Sequence, residues 1–224
     1  MKLDLVPFAV SFNLALWTTA ILLVVSFPLA WLFATHRGRW VPWVESLFSL
    51  PLVLPPSVLG FYLLVLFSPY SPVGAFLKRT TGVSLVFSFP GLEVASCAAG
   101  LPFMLSALRN GILAVPKSLL EASWTLGKGR FETILRVVLP NMRPAILAGA
   151  VTTFARTLGE FGVVLMIGGS LPGVTKTVSI AIYEKAESQD MAAAHAYAIV
   201  LVALSYVGVF FLNRLHRLEA RRDR

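Results

Sequence analysis

The sequence predicts an all-α membrane protein: about five transmembrane helices, a bent helical elbow in one loop, the N-terminus outside and the C-terminus inside. Three observations predict it. Of 224 residues, 57% are hydrophobic and only 13% charged, where a soluble domain carries about 25% charged residues. Five apolar runs approach or exceed the ~20 residues that a helix needs to cross the hydrocarbon core. Lys and Arg gather at alternate ends of those runs, as orientation in a membrane requires. A single multi-pass domain, residues 1–224, accounts for the whole chain.

The runs, in order, cover about residues 11–35, 43–67, 91–113, 143–168 and 191–212. In lipid every backbone polar group needs an internal partner, so each run is read as a helix. The first is read as a span, not a cleaved leader: it is long, its flank sets Lys2 against Asp4, and no small-x-small site follows. The second carries Pro51, Pro55 and Pro56, each of which deletes a helix hydrogen bond and bends the axis. The third holds Pro102 and the lone cysteine, Cys97, which has no partner for an internal disulfide. In the fourth, Ala145, Gly149, Thr152, Arg156, Gly159 and Glu160 recur every three or four residues and share one face.

The loops carry structure too. Between the second and third runs, Val73 to Lys78 is amphipathic. Between the fourth and fifth, Val178, Ile180, Ile182 and Tyr183 predict a short helix that either dips back toward the membrane or lies on it. Thirteen Lys and Arg flank one side of the runs, Arg37, Arg39, Arg109 and Arg224 among them; five flank the other, Lys2, Lys78, Arg79, Lys176 and Lys185. The side with thirteen is cytosolic by the positive-inside rule. Basic residues placed at span ends, not interleaved with aromatics on one face, exclude a nucleic-acid partner.

The cytosolic loop 116–140 is the one long segment that mixes polar and apolar residues. Ser118 and Glu121 have capping-box spacing and predict a helix start. Gly127 and Gly129 predict a turn that needs positive φ. A second helix follows, with Phe131, Ile134, Leu135 and Val138 on one face, and Pro140 is expected to end it.

This elbow resembles the cytoplasmic loop of ABC importer permeases, whose pattern is E-A-A, three residues, G, nine residues, I-x-L-P. Here it reads Glu121-Ala122-Ser123, Gly127, then Val137, Leu139 and Pro140, with Ser123 for Ala and Val137 for Ile. The stretches LPLVLPPSVLGFYLL, FARTLGEFG and LPGVTKTVSIAIY extend the likeness to about residues 11–212, and there they resemble the molybdate-importing branch of that family. The resemblance implies a type I permease fold in the cytoplasmic membrane and an ATP-driven importer of molybdate or tungstate. It implies a homodimer of permeases, two ATP-binding cassette subunits that dock on the elbow, and an extracytoplasmic oxyanion-binding protein. Sulfate or another oxyanion is the alternative cargo. Glu121 is expected to fix the first elbow helix, Gly127 to make the turn, and Leu139-Pro140 to join the elbow to the fourth span.

Two groups are candidates for the translocation path. Pro55, Pro56 and Ser57 interrupt the second span, where either freed carbonyls face water along a path or the kink serves packing alone. Arg156 and Glu160 are ionisable inside a span, which costs a few kcal/mol and favours a wet or paired setting. Arg156 either offers charge to a passing anion or locks two spans through Glu160. No G-x-x-x-x-G-K-[ST] occurs, so ATP and Mg belong to the partner subunit and the chain itself is expected to bind no cofactor or metal and to be no enzyme. His36, His195 and His216 are scattered and form no H-E-x-x-H, against an intramembrane hydrolase. A passive anion channel is the other rival, and it needs no ATPase.

Overall fold

A computed structural model describes residues 3–36 and 38–222. Lys2, Arg37 and Arg224, which entered the charge count above, lie outside them. Every regular element among the described residues is helical: α1 (Val6–Thr35), α2 (Val41–Val53), α3 (Pro56–Phe67), α4 (Pro72–Thr81), α5 (Phe89–Ala114), α6 (Lys117–Thr125), α7 (Arg130–Thr133), α8 (Leu139–Asn141), α9 (Arg143–Leu158), α10 (Gly162–Gly168), α11 (Val178–Glu187) and α12 (Met191–Arg222). Helices α1 and α5 are each long and apolar enough to cross a membrane, as is the stretch Met191–Gly208 of α12.

The bundle is built on α1 and α5, which pack along one another and against α9. Small residues set that closeness. A Cβ added at Gly111 would stand 2.5 Å from the Ala145 methyl, and one at Gly149 would stand 3.0 Å from Ala107. So the small residues of the fourth span do face another helix, and α5 answers with small residues of its own. Two apolar clusters divide the bundle lengthwise. One joins Phe33, Leu108, Ile112 and Met142 near the elbow; the other joins Leu14, Leu92, Val164 and Ile167 at the opposite end.

Two expected spans are broken helices. Between α2 and α3 the axis turns by 113°, at Leu54 and Pro55, both extended in the break. Three prolines within six residues leave that stretch short of backbone donors, so the turn falls where the helix is weakest. The fourth run was read as one helix over 143–168. Instead α9 stops at Leu158 and α10 starts at Gly162. Gly159 caps α9, and Glu160 and Phe161 lie in the break, so Glu160 is not on the helical face assigned to it. Gly159 and Gly162, two glycines within four residues, lower helix propensity at the break.

The loop helices sit as follows. Helix α4 takes in the amphipathic piece, opened by the Ser71 hydroxyl, which accepts from the Gly74 N–H at 2.9 Å. Helix α11 buries Val178, Ile180 and Ala181 and packs on α12 and α1. Its first N–H is held by the Ser11 hydroxyl of α1 at 2.9 Å, and Glu184 takes both Lys176 and the Ser170 hydroxyl. That loop is therefore braced within itself by Glu184 and tied to the bundle through α11.

Candidate functional site

The elbow is built from α6, a tight turn and a second arm. Helix α6 starts two residues before the place that a Ser118 cap implies. Its N-cap is Pro116, and Ser118 does not cap it. The Leu119 N–H donates to the Pro116 carbonyl at 3.1 Å, so the backbone closes the first turn unaided. The Glu121 carboxylate is exposed and has no partner among the described residues, so it fixes nothing within this chain.

The turn is a Schellman motif. The Lys128 N–H reaches the Ser123 carbonyl at 3.1 Å, and the Gly127 N–H reaches the Trp124 carbonyl at 2.9 Å. Gly127 has φ of 75°, as the sequence requires. Gly129 does not: its φ is −69° and it serves as the N-cap of α7.

Pro140 does not end the second arm. Residues Ile134–Val138 form a π-helical turn, and α8 carries the chain through Pro140 to Asn141. The wider turn lets the Leu139 N–H bond to Ile134 and spares a four-residue bond that Pro140 could not donate. The bend comes two residues later, where this arm meets α9 at 70°.

The two arms are pinned to each other. The Ser123 and Thr133 hydroxyls, both buried, are 2.8 Å apart, and Thr133 also donates to the Gly129 carbonyl at 3.0 Å. The departure from Ala at position 123 thus supplies half of an interarm hydrogen bond. Outside, Glu132 takes Lys128 at 2.6 Å and Arg136 at 3.2 Å. The hydrogen bond from Lys128, then the nearby positive charges, hold the Glu132 carboxyl below its ordinary value.

The expected apolar face of the second arm divides. Val138 and Thr133 point into the bundle, and Val137, Leu139 and Pro140 are half-buried. Phe131 and Leu126 stand in the open, at 74% and 77% exposure, with Trp124, Leu119 and Leu135 also exposed. Ala122 is exposed beside Glu121. An apolar tip on a rigid support is the signature of a surface that another protein covers. The sequence reading missed Trp124 and Leu126 as parts of this tip. The signal was there: apolar residues immediately before a glycine turn have no helix face of their own to bury.

The second site is a cavity of about 550 Å³ at the two helix breaks. Pro56 lines it from the α2–α3 bend; Phe103 comes from α5; Arg156, Glu160 and Phe161 come from the end of α9 and its break. Pro56, Arg156 and Glu160, from two separate stretches of sequence, are brought together here. Pro55 and Ser57 flank Pro56 and are exposed but do not line the cavity. Arg156 lies over the Phe103 ring, 4.3 Å from its centroid, and its Nη2 is 3.7 Å from Glu160 Oε2. The Arg156 Nε is buried without a partner. Glu160 is 9% exposed, and its other oxygen accepts the Val163 N–H at 3.3 Å at the start of α10. Glu160 thus ties the break together, while Arg156 keeps donor capacity that the protein does not use.

A family model described as binding-protein-dependent transport system inner membrane component matches residues 26–222. The molybdenum transport system permease protein ModB of Azotobacter vinelandii is 42% identical, over 97% of this chain and 96% of the relative. The sulfate transport system permease protein CysT of Salmonella typhimurium is 32% identical, over 87% of this chain and 70% of its own length. Among solved structures, the inward-facing MetNI methionine ABC transporter superposes with a TM-score of 0.74 at 18% identity, covering 96% of this chain and 95% of that one. An alginate-importing bacterial ABC transporter gives 0.72 at 19%, over 94% and 79%. These last two speak to the fold: the helices fall in the arrangement of ABC importer permeases.

Proposed function

The chain belongs to the family of binding-protein-dependent transport system inner membrane components, and from that premise we propose that it is the permease subunit of an ATP-driven importer of molybdate or tungstate. It acts as a homodimer, with two ATP-binding cassette subunits on the elbow side and an extracytoplasmic oxyanion-binding protein on the other. The elbow is cytosolic. ATP and its Mg belong to the cassette subunits.

The observation that carries this reading is the elbow itself: an exposed apolar tip on arms that are locked internally by the Ser123–Thr133 bond and the Gly127 turn. Binding of ATP draws the cassette subunits together. Each tip moves with its subunit, and the arm through α8 carries the motion into α9. At the far end of α9 stands Arg156, so the push arrives at the cavity where the helices are already broken. The guanidinium, a third exposed at the cavity, offers charge-assisted hydrogen bonds to a tetrahedral oxyanion. Glu160 holds the break and moderates the positive charge, which keeps the anion from being retained too tightly.

Molybdate is favoured over sulfate by identity: the A. vinelandii molybdenum permease is 42% identical to this chain and the S. typhimurium sulfate permease 32%. The test is reconstitution. The permease, its cassette subunit and its binding protein in proteoliposomes should take up molybdate only with ATP inside. Uptake without ATP would make the chain a channel; uptake of sulfate but not molybdate would reassign the cargo.

A further inference from the structure

A second cavity, of about 650 Å³, lies under the elbow, between it and the ends of α1 and α5. Trp31 and His36 line it from the end of α1, Leu113 from the end of α5, and Lys117, Trp124 and Arg130 from the elbow. No carboxylate lines it. Lys117 and Arg130 have no ion-pair partner among the described residues, whereas the other elbow cations, Lys128 and Arg136, share Glu132. The cavity is therefore a pocket of unneutralised positive charge with aromatic and apolar walls.

Its position decides what it fits. Trp31 and Leu113 sit in the last turns of two membrane-length helices, the depth at which lipid headgroups lie. Leu113 is 54% exposed on the outside of the bundle, so the pocket opens there. We propose that this cavity binds the phosphate headgroup of an anionic phospholipid, with Lys117 and Arg130 on the phosphate and Trp31 and Leu113 against the glycerol and upper acyl chain. Basic pockets between helices at a membrane surface recognise such headgroups through charge and hydrogen bonds. Because one wall belongs to the elbow and the other to the bundle, a bound headgroup braces the joint between them. The cytosolic placement of the elbow is needed only to say which leaflet supplies the lipid.

The test uses the assembled transporter, permease with cassette subunits, purified in mild detergent and examined by native mass spectrometry for retained phosphatidylglycerol. The wild-type complex should retain it. A Lys117→Gln/Arg130→Gln variant should bind it about thirtyfold more weakly, given the usual contribution of a basic residue to anionic-lipid attraction. A Lys78→Gln/Arg79→Gln variant, altered on α4, should retain it as wild type does. Equal retention in the two variants would overturn the proposal. So would loss of the lipid whenever the cassette subunits are bound, which would mean that they fill the cavity. If the first variant does not assemble, titration of wild-type complex in nanodiscs decides: stabilisation by phosphatidylglycerol but not phosphatidylcholine supports the site. Equal stabilisation by inorganic phosphate alone would make it a free-anion site and overturn the lipid assignment. Loss of ATP-driven uptake with lipid binding intact would instead count against the transport reading.

Discussion

The elbow and the Arg156 cavity solve opposite problems at the two ends of α9. Inside the elbow every joint is closed: hydroxyl to hydroxyl between the arms, a Schellman turn at Gly127, and Glu132 held by two cations. Its outside is apolar and uncovered. At the cavity the backbone is interrupted twice, by the α2–α3 bend and by the α9–α10 break, and the charged atoms face inward. A part that passes on force must not deform and must grip its neighbour. A part that opens and closes must have places where the helix is already discontinuous. The same chain uses glycine for both: at Gly127 to close a turn, at Gly159 to end a helix.

The largest effect should come from the exposed tip. Leu126→Asp with Phe131→Asp should abolish co-purification of the cassette subunit, because burying two such side chains is worth about 1.5–3 kcal/mol each, a combined loss of more than a hundredfold in affinity. Undiminished co-purification would place the grip elsewhere. Next is the turn. A Cβ at Gly127 meets no atom within 4 Å, so the effect of Gly127→Ala is backbone strain at positive φ, of about 1–2 kcal/mol. We expect ATP hydrolysis to continue while uptake falls severalfold, which ATPase and transport assays on one preparation would read. At the other end, Arg156→Gln should lower transport sharply with little change in melting temperature, since the ion pair is long, Arg156 itself is a third exposed, and the buried Glu160 keeps its bond from the Val163 N–H. A matching drop in stability would make Arg156 a structural lock instead.

Smaller effects test the internal joints. Ser123→Ala removes the interarm hydrogen bond but leaves Thr133 its bond to Gly129, so the loss should be about 1 kcal/mol by denaturant titration. Smallest is the acid response of Glu132. Its carboxyl is held below the ordinary range, so the native state gains from its ionised form above that range. That gain should disappear as pH falls through the lowered value, and Glu132→Gln should remove this part of the acid dependence.

Much of this was legible in the sequence. The apolar runs gave the helices, and the spacing from Glu121 to Pro140 gave the elbow. What failed did so for local reasons. Ser118 had the right spacing for a cap, but Pro116 already closed the turn through its carbonyl. Pro140 carried a stop signal, but a π turn absorbed the missing donor. The fourth run kept its apolar character through Gly159 and Gly162, so hydropathy could not register the break between them. The meeting of Pro56 with Arg156 needs two chain segments a hundred residues apart, and no local pattern reports that.

Coupling depends on which side of the membrane the tip faces and what covers it. In a Cys97→Ser background, Leu126→Cys should resist a membrane-impermeant maleimide in intact cells. In inside-out vesicles it should react fast once the cassette subunit is stripped and slowly while the subunit is bound. Labelling in intact cells, or a rate indifferent to the cassette subunit, would contradict it.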